Sequence, residues 1–230
     1  MKADIIVALD VGSAKEAEAA VKKIGSAVSF YKVGLELFIA DGVETLAMLR
    51  GQGKRIFLDL KLHDIPRTVE RSVKSAMRFG AELLTIHASG GAAMVCAAAE
   101  ASEGRVKIVA VTVLTSLDAT DMTDIGVTRT PADQVEALAH LAVKNGAHGL
   151  VCSPQEVGRL RKVLGETPYL ITPGVRPAGS DVGDQKRIAT PAQAVKDGAS
   201  ALVIGRPILE APDPYAAAMA IMAEIRGEWM

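Results

Sequence analysis

Short apolar runs alternate along the chain with longer segments that mix alanine with charged residues. Eight runs have the length and the aliphatic composition of buried strands, and they cover residues 4–10, 30–37, 55–62, 83–89, 106–114, 149–153, 169–175 and 201–206. The intervening segments, such as 13–25 and 130–146, space their apolar residues as helices do. This alternation predicts repeated βα units with a parallel sheet.

A weak internal repeat marks three junctions between the predicted units. Segments 80–86, 146–152 and 198–204 each place Gly-Ala directly before an apolar run, and glycine can end a helix there in the left-handed conformation. Eight such units in 230 residues predict an α/β fold, a single (β/α)8 TIM barrel that forms one domain over residues 1–230. A doubly wound open sheet is the alternative.

Composition, charge and cysteine content argue against several classes of protein. Hydrophobic residues make up 49% of the chain and aromatic residues 3%, as in an α/β core of Ala, Val, Ile and Leu. The net charge of −1 argues against nucleic-acid binding. Two distant cysteines, Cys96 and Cys152, argue against a zinc site and a disulfide scaffold. The N-terminus has no signal-peptide core and no run could span a membrane, so we expect a soluble, cytoplasmic protein.

The stretch FLDLKLHDIPRTV, residues 57–69, places three charges where a buried strand ends. Asp59 and Lys61 are two positions apart and should both face the barrel interior, while the neighbouring leucines face the helices. Asp64 follows at the turn into the next helix. A structural ion pair, with Asp64 as the helix N-cap, is the alternative interpretation.

Polar residues also stand in or after other predicted strands, namely Asp10, Lys32, His87, Thr115, Arg176 and Arg206. Their convergence on one face predicts a catalytic site, because barrels build their sites at the carboxyl ends of the strands. His87 fits a hydrogen-bonded interior residue better than a catalyst. Gly205 and Arg206, in VIGRP, suit a phosphate site. The loops at 115–131 and 176–187 are candidate lids.

These residues resemble the orotidine 5′-monophosphate decarboxylase family of the bacterial type. The resemblance runs nearly end to end and includes DLKLHDIPRT (59–68), YKVG (31–34), VLTS (113–116), TPGVRP (172–177), VGDQKR (182–187) and IGRPI (204–208). It implies that orotidine 5′-monophosphate loses CO₂ from C6 to give uridine 5′-monophosphate in pyrimidine synthesis, without a metal or an organic cofactor. Lys61 would stabilise and protonate the C6 carbanion, and Asp59 would lie beside the departing carboxylate.

The resemblance also implies binding roles and an assembly. Lys32, Asp59, Lys61 and Asp64 would form an alternating chain of charges, with Asp64 and Thr68 supplied by the second subunit of a homodimer. The remaining substrate contacts would come from Asp10 and Lys32 at the ribose, Thr115 and Gln185 at the base, and Gln185, Arg176, Gly205 and Arg206 at the phosphate.

Two other functions remain open from the sequence. The first is a magnesium-dependent sugar-phosphate decarboxylase or aldolase on the same barrel. The second is a phospho-ligand sensor without catalysis, although the lysine at position 61 disfavours it.

Overall fold

A computed structural model describes residues 3–176 and 189–227 and forms a closed barrel of eight parallel strands in chain order. The strands are Asp4–Ala8 (β1), Phe30–Gly34 (β2), Arg55–Leu62 (β3), Leu83–His87 (β4), Lys107–Val111 (β5), Gly149–Val151 (β6), Tyr169–Thr172 (β7) and Ala201–Ile204 (β8). All eight predicted strands are confirmed, and the open-sheet alternative is wrong because β1 pairs with β8. Most strands are shorter than predicted at their carboxyl ends, where the chain turns into the loops above the barrel.

Helices surround the barrel and follow the strands. They are Ala14–Ile24 (α1), Leu35–Gly51 (α2), Pro66–Ala76 (α3), Ala92–Ala101 (α4), Ala119–Asp124 (α5), Pro131–Lys144 (α6), Val157–Leu164 (α7), Pro191–Lys196 (α8), Arg206–Leu209 (α9) and Pro214–Arg226 (α10). The helices predicted over 13–25 and 130–146 are confirmed as α1 and α6. The hydroxyls of Ser13 and Thr130 accept a backbone N–H at the start of each helix, which fixes where it begins.

The barrel interior has an apolar floor on which the polar site rests. Its fully buried members include Phe30, Phe57, Leu83 and Ile171. Because side chains alternate along a strand, the next inward-facing positions are Lys32 on β2, Asp59 on β3 and Thr85 on β4. Polar groups therefore begin one step above the floor, towards the carboxyl ends of the strands.

An ion cluster lies at the opposite, amino-terminal end of the barrel. The Arg55 guanidinium contacts Asp4 at 2.8 Å and Glu82 at 2.8 Å, and the Tyr169 hydroxyl donates to Asp4 at 2.7 Å. Burial alone would raise the pKa of Asp4, but the hydrogen bonds from Arg55 and Tyr169 outweigh it and lower that pKa. The hydrogen bond from Arg55 also lowers the pKa of Glu82. These contacts join β1, β3, β7 and the start of β4.

Across residues 3–176 and 189–227, no helix is both long enough and apolar enough to cross a membrane.

Candidate active site

A cavity of about 490 Å³ opens at the carboxyl ends of the strands. Eight of the residues predicted for the site line it, namely Asp10, Lys32, Asp59, Lys61, Thr115, Arg176, Gly205 and Arg206. Apolar residues such as Phe57, Val111 and Val203 also line the cavity. Its floor is therefore apolar and its rim is charged. Such a cavity can enclose a small molecule that carries an apolar or aromatic part and anionic groups.

Eight predicted positions thus border the cavity: seven contribute a side chain, and Gly205 contributes backbone only. Thr115 lies in the loop after β5, Arg176 lies in the loop after β7, and Arg206 begins α9. The predicted convergence of strand ends on one face is therefore confirmed for these positions.

Four charged side chains form an alternating chain along one wall of the cavity. Lys32 Nζ lies 3.0 Å from Asp10 Oδ1 and 3.7 Å from Asp59 Oδ2, and Lys61 Nζ lies 2.8 Å from the same Asp59 oxygen. The side chains of Lys32 and Asp59 are each 11% exposed, whereas Lys61 is 31% exposed. Each buried charge has an opposite neighbour, as burial requires, and the chain ends in an ammonium group that reaches the cavity.

Lys61 owes its position to an irregularity in β3. The register with β4 runs from Leu58 opposite Leu84 to Leu62 opposite Ile86, so three residues of β3 face one residue of β4. Lys61 has φ +50°, a left-handed conformation that is uncommon outside glycine. Asp59 and Lys61 both reach the cavity as predicted, but a bulge rather than regular alternation directs the lysine.

Thr85 is the β4 residue opposite this bulge, and the sequence reasoning missed it. Its hydroxyl donates to Asp59 Oδ1 at 3.0 Å and accepts the Lys61 backbone N–H at 2.8 Å. The side chain is fully buried. The available signal was a single hydroxyl in the otherwise apolar run LLTI at 83–86.

His87 ends β4 and is half-buried beside the charged chain. Its ring stacks on that of His63, with centroids 5.5 Å apart. Burial lowers the pKa of His87, and the nearby His63 and Lys61 lower it further while Asp59 opposes them. A neutral imidazole at neutral pH follows. The interpretation of His87 as a hydrogen-bonded interior residue stays a prediction.

The part of the cavity beside the carboxyl ends of β7 and β8 is suited to an anion. Gly205 and Arg206 lie there after β8, and Arg176 approaches from the loop after β7. Arg176 is buried, and one guanidinium nitrogen donates to the Val175 carbonyl oxygen at 3.0 Å. Glu210 also lines the cavity, an acidic residue that the sequence reasoning did not identify.

Three predicted site residues are not in the cavity or cannot be placed. Asp64 is exposed, and its Oδ1 accepts the backbone N–H of Ile65 at 2.6 Å. The interpretation of Asp64 as the N-cap is wrong, because Ile65 occupies the cap position of α3. Thr68 is exposed in a groove beside α3, away from the cavity. Gln185, with most of the predicted lid at 176–187, lies outside the described residues.

Within the part of the chain that the structure describes, no group of three or more His, Cys, Asp or Glu residues is arranged to hold a metal ion.

Comparison with known proteins gives a consistent result over nearly the whole chain. The sequence model of the orotidine 5′-phosphate decarboxylase / HUMPS family matches residues 3–221. The orotidine 5′-phosphate decarboxylase of Rhodopseudomonas palustris (strain ATCC BAA-98 / CGA009) is 51% identical over 221 residues, which cover 96% of this chain and 93% of that protein. The enzyme of the same name from Anaeromyxobacter sp. (strain K) is 51% identical and covers 95% of this chain and 96% of its own.

A solved structure shows the same architecture. The crystal structure of orotidine 5′-phosphate decarboxylase from Lactobacillus acidophilus superposes with a TM-score of 0.87 at 38% identity, covering 97% of this chain and 99% of that one. The protein described here therefore belongs to the orotidine 5′-phosphate decarboxylase / HUMPS family.

Proposed function

We propose that this protein decarboxylates orotidine 5′-monophosphate to uridine 5′-monophosphate and CO₂. The observation that carries the proposal is the alternating chain Asp10, Lys32, Asp59 and Lys61, which ends with an ammonium group in the cavity. The names of the similar proteins agree with this activity. Arg176 and Arg206, which line the same cavity, suit the phosphate of such a substrate.

The reaction needs charge stabilisation at one carbon atom. When the bond between C6 and the carboxylate breaks, its electron pair stays on C6 and CO₂ leaves. A fixed ammonium next to C6 gains attraction as that charge localises, so it stabilises the transition state more than the ground state. Lys61 Nζ is the group we assign to this role, and it then donates the proton that converts the carbanion to product.

Asp59 has two consequences for that step. Its Oδ2 atom holds Lys61 Nζ at 2.8 Å, which fixes the proton donor before substrate arrives. A substrate carboxylate that approaches Lys61 must also approach Asp59, and the repulsion between the two carboxylates disappears as CO₂ departs. We assign ribose binding to Asp10 and Lys32 on the neighbouring strands, and base contact to Thr115 and Gln185.

We propose a homodimer in which Asp64 and Thr68 complete the partner's site. Support comes from exposed apolar side chains near these residues: Leu35, Ile39 and Val43 on α2 are 49%, 79% and 66% exposed, and α2 is kinked at Asp41, between the last two. Ile65, at the start of α3, is 67% exposed. Contiguous apolar side chains at such exposure are typical of protein interfaces.

The dimer proposal has a matched pair of variants. Ile39→Asp places a charge among these apolar side chains, whereas Ile125→Asp makes the same change at a residue of 67% exposure that follows α5. Sedimentation should give a dimer for the wild type and for Ile125→Asp, and a monomer with reduced activity for Ile39→Asp. A wild type that is monomeric and fully active at micromolar concentration contradicts the dimer.

The proposed chemistry assigns every step to a side chain, so we propose catalysis without a metal or an organic cofactor. We also propose a cytoplasmic enzyme of pyrimidine synthesis. Neither Cys96 nor Cys152 is in a disulfide in the structure, which agrees with a reducing compartment.

The activity is tested by following the absorbance of orotidine 5′-monophosphate with the wild-type protein in EDTA. Rapid conversion to uridine 5′-monophosphate is expected. No conversion by a folded protein, with activity on a sugar phosphate after Mg²⁺ is added, would replace the proposal with the metal-dependent alternative.

A further inference from the structure

We infer that Thr85 is a positioning residue that holds Lys61 in its working orientation through one buried hydroxyl group. The inference rests on the proposed function, because it concerns the lysine to which we assign catalysis. Thr85 does not line the cavity. It therefore acts through Asp59 and Lys61 rather than on the substrate.

The backbone around Lys61 lacks the support that a regular sheet would give. Residues 59–61 of β3 face only Thr85 of β4, so the ladder between these two strands is interrupted there. Within this interruption the Lys61 N–H donates to a side-chain oxygen of β4, Thr85 Oγ1, at 2.8 Å. This contact holds Lys61 at φ +50°, a conformation that a lysine adopts only when its surroundings impose it.

The same hydroxyl also orients the carboxylate that holds the lysine. Thr85 donates to Asp59 Oδ1, while Asp59 Oδ2 contacts Lys61 Nζ. The hydroxyl, the carboxylate and the lysine thus form a closed ring of contacts that returns to the Lys61 backbone. Removing the hydroxyl therefore removes the hydrogen bond to the Lys61 backbone and also the one that orients the carboxylate bound to the Lys61 ammonium group.

Water cannot readily replace this hydroxyl. The Thr85 side chain has no exposed surface, and Asp59 is 8% exposed. Valine has the shape of threonine but neither donates nor accepts, so Thr85→Val would leave the Lys61 N–H and one Asp59 oxygen without their partner. Serine keeps the hydroxyl and removes only a methyl group.

Steady-state kinetics of three variants separate positioning from general stability. Thr85→Val should lower kcat at least thirtyfold and change KM less than threefold, because the groups that bind the nucleotide are untouched. Thr85→Ser should keep kcat within about threefold of the wild type. Thr45→Val is the matched control, since Thr45 on α2 is also fully buried and its hydroxyl has no hydrogen-bond partner among the described residues.

A loss of kcat in Thr85→Val that Thr85→Ser does not share, with Thr45→Val normal, supports the inference. Equal kcat in the valine and serine variants overturns it. If Thr85→Val fails to fold, Thr85→Ala is compared with Thr85→Ser, which differs from it only by the hydroxyl, and the same thirtyfold contrast is expected.

A crystal structure of Thr85→Val, or of Thr85→Ala, tests the inference without turnover. Lys61 should leave the left-handed region and its Nζ should move away from Asp59. An unchanged Lys61 in the variant overturns the inference, whether or not the wild type acts on orotidine 5′-monophosphate. If Lys61 is displaced and the wild type lacks that activity, only the proposed function is overturned.

Discussion

Replacing Asp59 with asparagine should change the balance between substrate and product binding. Asp59→Asn keeps the shape of the side chain but removes the negative charge that lies between Lys32 and Lys61. Orotidine 5′-monophosphate carries a carboxylate at C6 and uridine 5′-monophosphate does not. The variant should therefore bind the substrate more tightly relative to the product, although it turns the substrate over more slowly.

The size of this effect follows from the geometry around Lys61. Asp59 Oδ2 lies 2.8 Å from Lys61 Nζ, and a second carboxylate that contacts the same ammonium would lie about 4 Å from the first. Two unit charges at that separation repel by about 4 kcal/mol at an effective dielectric constant near 20. Because Lys61 is 31% exposed, solvent reduces this figure, and we expect the affinity ratio to change by about tenfold to a thousandfold.

The assay is equilibrium binding of both nucleotides by calorimetry, completed before the slow variant consumes its substrate. Asp10→Asn is the matched control, because it removes a charge from the same chain at the position assigned to the ribose. That change should weaken substrate and product equally, since both carry the same ribose phosphate. An unchanged affinity ratio in Asp59→Asn refutes the assigned proximity of Asp59 to the substrate carboxylate.

Three further predictions concern other parts of the barrel. Arg55→Met should lower the free energy of unfolding by about 2 kcal/mol at neutral pH. This loss is smaller than the loss expected from breaking a fully buried ion pair, because about a third of each side chain is exposed. Arg159→Met, at a surface ion pair, is the control and should change the free energy of unfolding little. Since Arg55 lowers the pKa of Glu82 and helps lower that of Asp4, its contribution is complete above their ordinary values of 4.5 and 3.8 and is lost as the pH falls through the lowered values. A difference in denaturant midpoint that does not shrink as the solution is acidified contradicts this. Gly34→Ala would place a Cβ atom 2.9 Å from Lys32 Nζ and so displace that ammonium group. Nucleotide binding should weaken about tenfold or more, with little change in melting temperature. Unchanged binding counts against a ribose contact by Lys32. Arg206→Ala should reduce the ratio of kcat/KM for orotidine 5′-monophosphate to kcat/KM for orotidine, because phosphate binding supports turnover as well as affinity. An equal ratio in the variant and the wild type contradicts the assignment of Arg206 to the phosphate.

Much of the fold could be predicted because the apolar runs of strands and the apolar spacing of helices alternate regularly along the sequence. Alternating βα segments require a parallel sheet, and the carboxyl ends of parallel strands meet at one face. Asp10, Lys32 and Asp59 could therefore be placed together from their positions in or just after separate strands, and in the structure Lys32 contacts both aspartates.

The remaining features depend on contacts between distant segments. The left-handed backbone at Lys61 is imposed by Thr85 on the next strand, and no local preference of lysine indicates it. The ion cluster around Arg55 joins residues from four places in the chain. The resemblance implies that Asp64 reaches the partner's site, and its exposed position leaves that prediction untested, because a contact between two subunits does not show in one chain.

The most direct test of the proposed chemistry compares Lys61→Ala with the wild type in decarboxylation of orotidine 5′-monophosphate, in EDTA and at saturating substrate. Lys61 is assigned both the stabilisation of the carbanion and its protonation, and effects of this kind are each worth about a hundredfold or more. We predict that kcat falls at least ten-thousandfold while the variant still binds uridine 5′-monophosphate. A folded Lys61→Ala protein that keeps kcat within tenfold of the wild type would contradict the assignment of Lys61 as the catalytic acid.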